Sequence, residues 1–201
     1  MIRDIKVLTE SLLKWPLTGN PEVDSPALLK FYNRSEDAAH VLKVAEIARN
    51  LAVRFECDPK KAYVAGLLHD IGNVYVNEIR IELCVHFKIS VLEEEKLFPA
   101  LLHPKLSKFI AVDLFKISDE NILNSILYHT TLRYDPTPLE QIIFISDKIS
   151  WDDKYNSLFK QRMIDELDKS LLHSSFVYLD YMFANRHLMN VVHPLADEAY
   201  S

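Results

Sequence analysis

The chain has 201 residues, with 23 lysines and arginines against 29 aspartates and glutamates, a formal charge of −6, and 49% apolar and 26% charged residues. This is the balance of a soluble globular protein long enough to bury one sizeable core. It contains no basic cluster suited to a nucleic-acid backbone and no apolar run near the ~20 residues that span a bilayer. Only three glycines are present, Gly19, Gly66 and Gly72. Their spacing excludes the glycine-rich turns that cradle phosphates in Walker and dinucleotide-binding loops, and their scarcity argues against hairpin-rich β architectures. Two cysteines, Cys57 and Cys84, are too few for a disulfide framework or a Cys-rich zinc site and read as reduced thiols of a cytoplasmic protein. The start, Met1-Ile-Arg-Asp-Ile-Lys, carries no secretory apolar region.

In chain order, a first helix gives way to a loop over residues 17–26, where Gly19-Asn20 and two prolines forbid continuation. Residues 1–33 are therefore expected to form an N-terminal helix and loop packed on a core that occupies residues 34–201. Over residues 37–55, Val44, Ala48, Leu51 and Phe55 recur at three- and four-residue steps and predict a helix with one buried face. Asp58-Pro59 is an N-cap with proline at the first position, opening a helix to about Asp70 that Gly72-Asn73 ends. Helices are expected over residues 78–87 and 92–102, then a break at Pro104 and a further helix over 105–115. Ser118-Asp119-Glu120 starts a helix reaching residue 128 or 129, and Thr137-Pro138-Leu139-Glu140 is a capping box that opens one through about Ile149. One long amphipathic segment, residues 155–186, closes the chain; Asp180 interrupts its most apolar part, which marks it as a packing helix. With no convincing strand, the fold class is all-α, a single helical bundle.

Four of the eight histidines, His40, His69, His103 and His129, fall on or beside the inward faces of these helices. Taken alone, each reads more readily as a core histidine bonded to a backbone carbonyl. His69-Asp70 changes that reading, because a carboxylate closing the apolar helix of Ala62, Ala65, Gly66 and Leu67 is costly to bury without a cation. Asp147 is a second inward carboxylate, four residues after Ile143. Lys148 is adjacent, but residues i and i+1 point in different directions on a helix, so it is not the expected partner. Four imidazoles and two carboxylates on five separate elements suit a divalent metal.

The ordered series His40, His69-Asp70, His103, His129, Asp147 resembles the ligand series of the HD-domain metal-dependent phosphohydrolase superfamily, in the version that holds two metals. Ala65-Gly-Leu-Leu-His-Asp-Ile71, His129-Thr-Thr131 and Ile145-Ser-Asp-Lys-Ile149 resemble more narrowly the YqeK-type branch, bacterial hydrolases that cut diadenosine tetraphosphate symmetrically to two ADP. The resemblance covers residues 34–150. It implies a helical HD-domain core, two divalent or mixed-valence metal ions, with iron favoured and manganese the alternative, and Asp70 as the bridge that orients a metal-activated water. It also implies a small-molecule nucleotide substrate, with no nucleic acid or membrane partner. Arg133, Thr130, Thr131 and Asn73 are the candidates for holding its phosphates, Arg133 because a planar fork matches two phosphate oxygens.

Three positions depart from the branch pattern: Asn73 where it has Lys, Leu132 where it has Gly, and Ser150-Trp151-Asp152-Asp153 where it has Glu-Pro and a nearby Arg. These departures keep open a hydrolase of another nucleotide (a mono- or triphosphate, a cyclic dinucleotide) and a non-catalytic nucleotide-sensing module. Trp151 reads as a packing tryptophan or a nucleobase stack at the pocket rim. The aromatic run Phe176, Tyr178, Tyr181 and Phe183 reads as core or homodimer packing.

Overall fold

The computed structural model describes residues 5–151 and 157–201. Among them are twelve α-helices and no strand: α1 (Ile5–Leu13), α2 (Pro21–Phe31), α3 (Ser35–Arg54), α4 (Pro59–Leu68), α5 (Asn77–His86), α6 (Glu93–Leu97), α7 (His103–Asp113), α8 (Glu120–Tyr128), α9 (Pro138–Ser150), α10 (Ser157–Glu166), α11 (Leu171–Ala184) and α12 (Pro194–Tyr200). Short 3₁₀ turns at Ile71–Val74, Pro99–Leu102 and Arg186–Leu188 join them. None of the described helices is long and apolar enough to cross a membrane.

The central helix is α9. Thr137 and Glu140 form its capping box, and eleven of its thirteen residues are buried, Phe144 completely. A helix buried on every side has no solvent face, and α3, α4, α8, α10 and α11 pack around it. The apolar interior falls into two clusters. One gathers Ala45, Leu68, Ile126, Ile142, Phe144 and Met163; the other gathers Leu12, Leu28, Val41, Leu83, Leu106 and Ile110. Helix α3 contributes to both, with Val41 in the second and Ala45 in the first. The chain leaving α4 does the same, Leu68 belonging to the first and Ile71 to the second. His69-Asp70 therefore stands at the seam between the clusters.

Three expectations are corrected. The loop after α1 ends at Asn20, not at residue 26: the Asn20 side chain accepts the Glu22 N–H at 3.1 Å, and Pro21 occupies the first helical position of α2, where a missing N–H costs nothing. Pro104 is no break either; it lies in the first turn of α7, and the interruption falls earlier, at Phe98-Pro99. The C-terminal segment is not one helix: residues 167–170 turn the chain so that α10 and α11 pack as a pair, with Ser170 capping α11, and α12 follows. Its beginning at Tyr155 lies outside the described residues, as do Asp152 and Asp153. Within the aromatic run Tyr178 packs edge-on to Phe144, and Phe176 and Phe183 stack on Tyr200 of α12, while Phe176 and Tyr181 remain exposed.

The crossing of α3 and α4 depends on a missing side chain. A Cβ at Gly66 would lie 2.6 Å from the Ala45 Cα, inside any van der Waals contact. Gly66→Ala should force the two helices apart and destabilise the fold by about 1–3 kcal/mol, read as a lowered midpoint in denaturant unfolding. An unchanged midpoint would show that the crossing tolerates expansion.

Candidate metal centre

Each histidine is oriented by a hydrogen bond on one ring nitrogen. His69 Nδ1 donates to the Gly66 carbonyl (2.8 Å), His103 Nδ1 to the Ala100 carbonyl (2.7 Å) and His129 Nδ1 to the Ile126 carbonyl (2.8 Å). The recurring three-residue step sets each ring against a carbonyl one turn back, at the end of a helix or 3₁₀ turn, where carbonyls lose intrahelical donors or, as at Ala100, share the bond with the backbone N–H. His40 Nδ1 lies 3.3 Å from Ser150 Oγ, whose own proton goes to the Asp147 carbonyl at 2.7 Å. These bonds assign the proton to Nδ1 and turn each Nε2 lone pair inward.

The inward atoms form two halves that share Asp70. In the first, His40 Nε2 and His69 Nε2 are 3.3 Å apart, with Asp147 Oδ1 at 3.0 and 3.8 Å from them and Asp70 Oδ2 at 3.8 and 3.5 Å. In the second, His103 Nε2 and His129 Nε2 are 3.0 Å apart, with Asp70 Oδ1 at 3.2 and 3.4 Å. His69 and His129 are almost wholly buried, and Asp70 Oδ1 is a buried atom without a hydrogen-bond partner. Paired lone pairs around an orphaned carboxylate oxygen repel one another, and a cation between them removes that repulsion. Nitrogen and oxygen donors in this arrangement fit divalent metals. The structure thus brings together all six residues expected from the sequence as ligands.

The titration tendencies of His69, His103 and Asp70 agree with such a site. Burial holds the His69 imidazole down to about 4, and burial likewise lowers His103, so both are neutral and ready to coordinate at neutral pH. Burial opposes the charge on Asp70, but the protonated forms of His69, His103 and His129 would outweigh it and hold the carboxyl well below its ordinary range, so the Asp70 carboxylate is the favoured state beside positive charge. His40 shows the reverse balance: burial lowers it, and the hydrogen bond and charge of Asp147 raise it above its ordinary value.

The Lys148 expectation is wrong. Its Nζ donates to Asp147 Oδ2 at 2.6 Å and to the His129 carbonyl at 3.2 Å, over the faces of Phe144, Trp151 and Tyr178. Divergence of neighbouring side chains matters where one of them faces water. On a helix buried all round, the long lysine stem has nowhere to go but back along its own turn. One oxygen of Asp147 is thereby tied to Lys148, leaving Oδ1 to face His40 and His69 and to accept the Trp151 indole N–H at 3.2 Å. That bond and an edge-on contact with Tyr178 make Trp151 a packing residue of the site wall.

Of the residues expected to hold phosphate, Thr130 alone joins the cluster, its Oγ1 lying 3.1 Å from His129 Nε2 and 3.3 Å from His103 Nε2. Thr131 is buried and donates to the Leu132 carbonyl. Arg133 spends its fork on Glu140, with Nε and Nη2 at 3.0 and 3.1 Å from the carboxylate. Asn73 accepts at Oδ1 from Arg80 Nη2 at 2.8 Å. Leu132 adopts φ 56°, a conformation natural to glycine. The backbone cost of about 1–2 kcal/mol is offset by a leucine side chain that is 1% exposed, whose burial contributes a similar amount, about 1.5–3 kcal/mol.

Removing Lys148 leaves a buried carboxylate uncompensated. Lys148→Met should destabilise the metal-free protein by about 3–5 kcal/mol, while the double variant Asp147→Asn/Lys148→Met should recover part of that loss. Additive losses in a double-mutant cycle of unfolding would show that the two side chains do not act as a pair.

The HD domain family model matches residues 37–152, which contain all six clustered residues. Among curated proteins, the chain is 45% identical over 139 residues to an uncharacterized protein in the pepC 5' region of Lactococcus lactis subsp. cremoris, covering 69% of this chain and 70% of that one. It is 35% identical over 116 residues to a symmetrical bis(5'-nucleosyl)-tetraphosphatase of Staphylococcus aureus, covering 55% of this chain and 56% of that one. Among solved structures, it resembles one described as a predicted HD superfamily hydrolase involved in NAD metabolism from Clostridium acetobutylicum, with a TM-score of 0.78 and 26% identity over 88% of this chain and 93% of that one. The family match spans more than half the chain and falls on the clustered histidines and aspartates: the chain belongs to the HD-domain family.

Proposed function

We propose that the chain is a two-metal phosphohydrolase of nucleotides, with a dinucleoside polyphosphate, diadenosine tetraphosphate, as its leading substrate. His40, His69, Asp70 and Asp147 would hold one ion, and Asp70, His103 and His129 the other. The observation that carries this reading is the placement of Asp70, whose Oδ2 faces one pair of imidazoles and whose Oδ1 faces the other. Iron is the first choice of metal, and manganese the second. When bound, such ions supply Lewis acidity toward phosphoryl oxygens and lower the pKa of water.

The chain's own residues do the rest. Four Nδ1 hydrogen bonds hold the imidazoles in the coordinating tautomer, so no reorganisation is needed on loading. Two divalent ions outweigh two carboxylates, and Lys148 adds a further positive charge, so the loaded site attracts polyphosphate. Thr130 is placed to donate its hydroxyl to a phosphoryl oxygen beside the second pair. The tetraphosphatase name of relatives such as the Staphylococcus aureus protein supports the substrate. A second reading, hydrolysis of a different nucleotide, draws on the engagement of Arg133 with Glu140 and of Asn73 with Arg80. Neither side chain is free to grip a long phosphate chain.

His69→Ala and Asp70→Ala should each lower metal content and hydrolysis together, leaving activity below about 1% of wild type, a larger loss than the roughly 10–100-fold that follows loss of an outer-shell partner. Full activity with full metal content in either variant would end the two-metal reading. With manganese- or iron-loaded protein and a nucleotide panel, ADP release from diadenosine tetraphosphate is the expected result. Faster turnover of another nucleotide supports the second reading, and saturable binding without turnover would overturn both in favour of a sensing module.

A further inference from the structure

Arg80 is a buried cation with no part in the site described above. It projects from α5, is 4% exposed, and meets only neutral acceptors: its Nε donates to the Tyr75 carbonyl at 3.1 Å, Nη1 to the Ala100 carbonyl at 2.9 Å and Nη2 to Asn73 Oδ1 at 2.8 Å. No ion pair with a carboxylate is formed among the described residues, and burial pulls the guanidinium down to about 10. The charges of Asp70 and Asp37 favour the guanidinium from a distance, but a buried charge with no carboxylate in contact is expensive, so its three acceptors indicate what the position gains.

Asn73 and Tyr75 belong to the turn that follows Asp70, and Ala100 belongs to the turn that precedes His103. The Ala100 carbonyl also accepts from His103 Nδ1 and from the His103 backbone N–H, so Arg80 and His103 converge on one oxygen. The turn after Asp70 also meets α7 at Gly72, whose N–H donates to Ser107 Oγ at 2.8 Å and where a Cβ would collide with the His103 carbonyl. The guanidinium fork therefore spans the joint between the segment carrying Asp70 and the segment carrying His103.

We propose that Arg80 is a positioning residue for the second half of the metal centre: its planar fork fixes the Ala100 carbonyl, and through it the His103 ring, against the turn that carries Asp70. The proposal rests on the two-ion reading given above. It requires the shape of the guanidinium as well as its charge, because an ammonium cannot reach three divergent acceptors at once.

The test is titration of the metal-stripped full chain with Mn²⁺ alone, followed by calorimetry, with thermal melting as a check on folding. Wild type should take up two ions. Arg80→Gln should weaken the second ion at least tenfold, in the range typical of outer-shell partners, and leave the first within about twofold. Arg80→Lys should not restore it. Unchanged affinities in Arg80→Gln, equal weakening of both ions, or full restoration by Arg80→Lys would each overturn the role. Where Arg80→Gln does not fold, Asn73→Ala, which removes one acceptor and keeps the cation, should weaken the second ion several-fold, and no change there overturns the proposal. A wild type that binds a single ion overturns the two-ion reading and this inference together. A wild type that binds two ions, with variants that do the same at wild-type affinity, overturns the inference alone.

Discussion

A carboxylate held in the protein interior between two pairs of imidazole lone pairs is the constraint on which the rest of the structure turns. Asp70 Oδ1 is buried without a hydrogen bond, and its neighbours His103 and His129 present acceptors because their Nδ1 protons are engaged by carbonyls. Such an arrangement is unfavourable by itself and becomes favourable only with positive charge at its centre. The protein supplies part of that charge through Lys148, on the far side of Asp147, while the Thr130 hydroxyl beside His103 and His129 is neutral. The polar atoms are placed for something the chain does not itself carry.

That placement follows from where the two apolar clusters meet. A carboxylate and four imidazoles within either cluster would be desolvated on every side. At the seam they are walled by apolar residues from both, yet His40, Asp70 and His103 keep some access to solvent. The seam is rigid because the segments crossing it pack closely: α3 on α4 through Gly66 and Ala45, and the turn after Asp70 on α7 through Gly72 and His103. Two of the three glycines in the chain are thus spent on bringing backbones together, and the third, Gly19, takes a positive φ in the loop before α2.

Much of this was legible from residue types and spacing. Cap signals at Asp58, Asp119 and Thr137 locate three helix starts, and the inward positions of His40, His129 and Asp147 follow from helical periodicity. Two readings that seemed to exclude one another, core histidine bonded to a carbonyl and metal ligand, turn out to describe opposite nitrogens of the same rings. What periodicity missed came from tertiary context. Lys148 bends back to Asp147 because α9 is enclosed on all sides, and no rule built on a solvent-facing helix anticipates that. Pro21 and Pro104 look like breaks in one dimension, whereas in three they occupy first turns that lack an obligatory donor. Arg80 carries no motif at all; its meaning lies in acceptors drawn from two distant turns.

The contact between Gly66 and Ala45 reaches beyond packing density, because the Gly66 carbonyl is also the acceptor that holds the His69 ring. Bulk and ligand orientation are therefore controlled by one point of the backbone. Enlarging either of those two small residues would shift the carbonyl that orients the His69 imidazole, so a defect in metal retention can arise from a methyl group added where two helices cross.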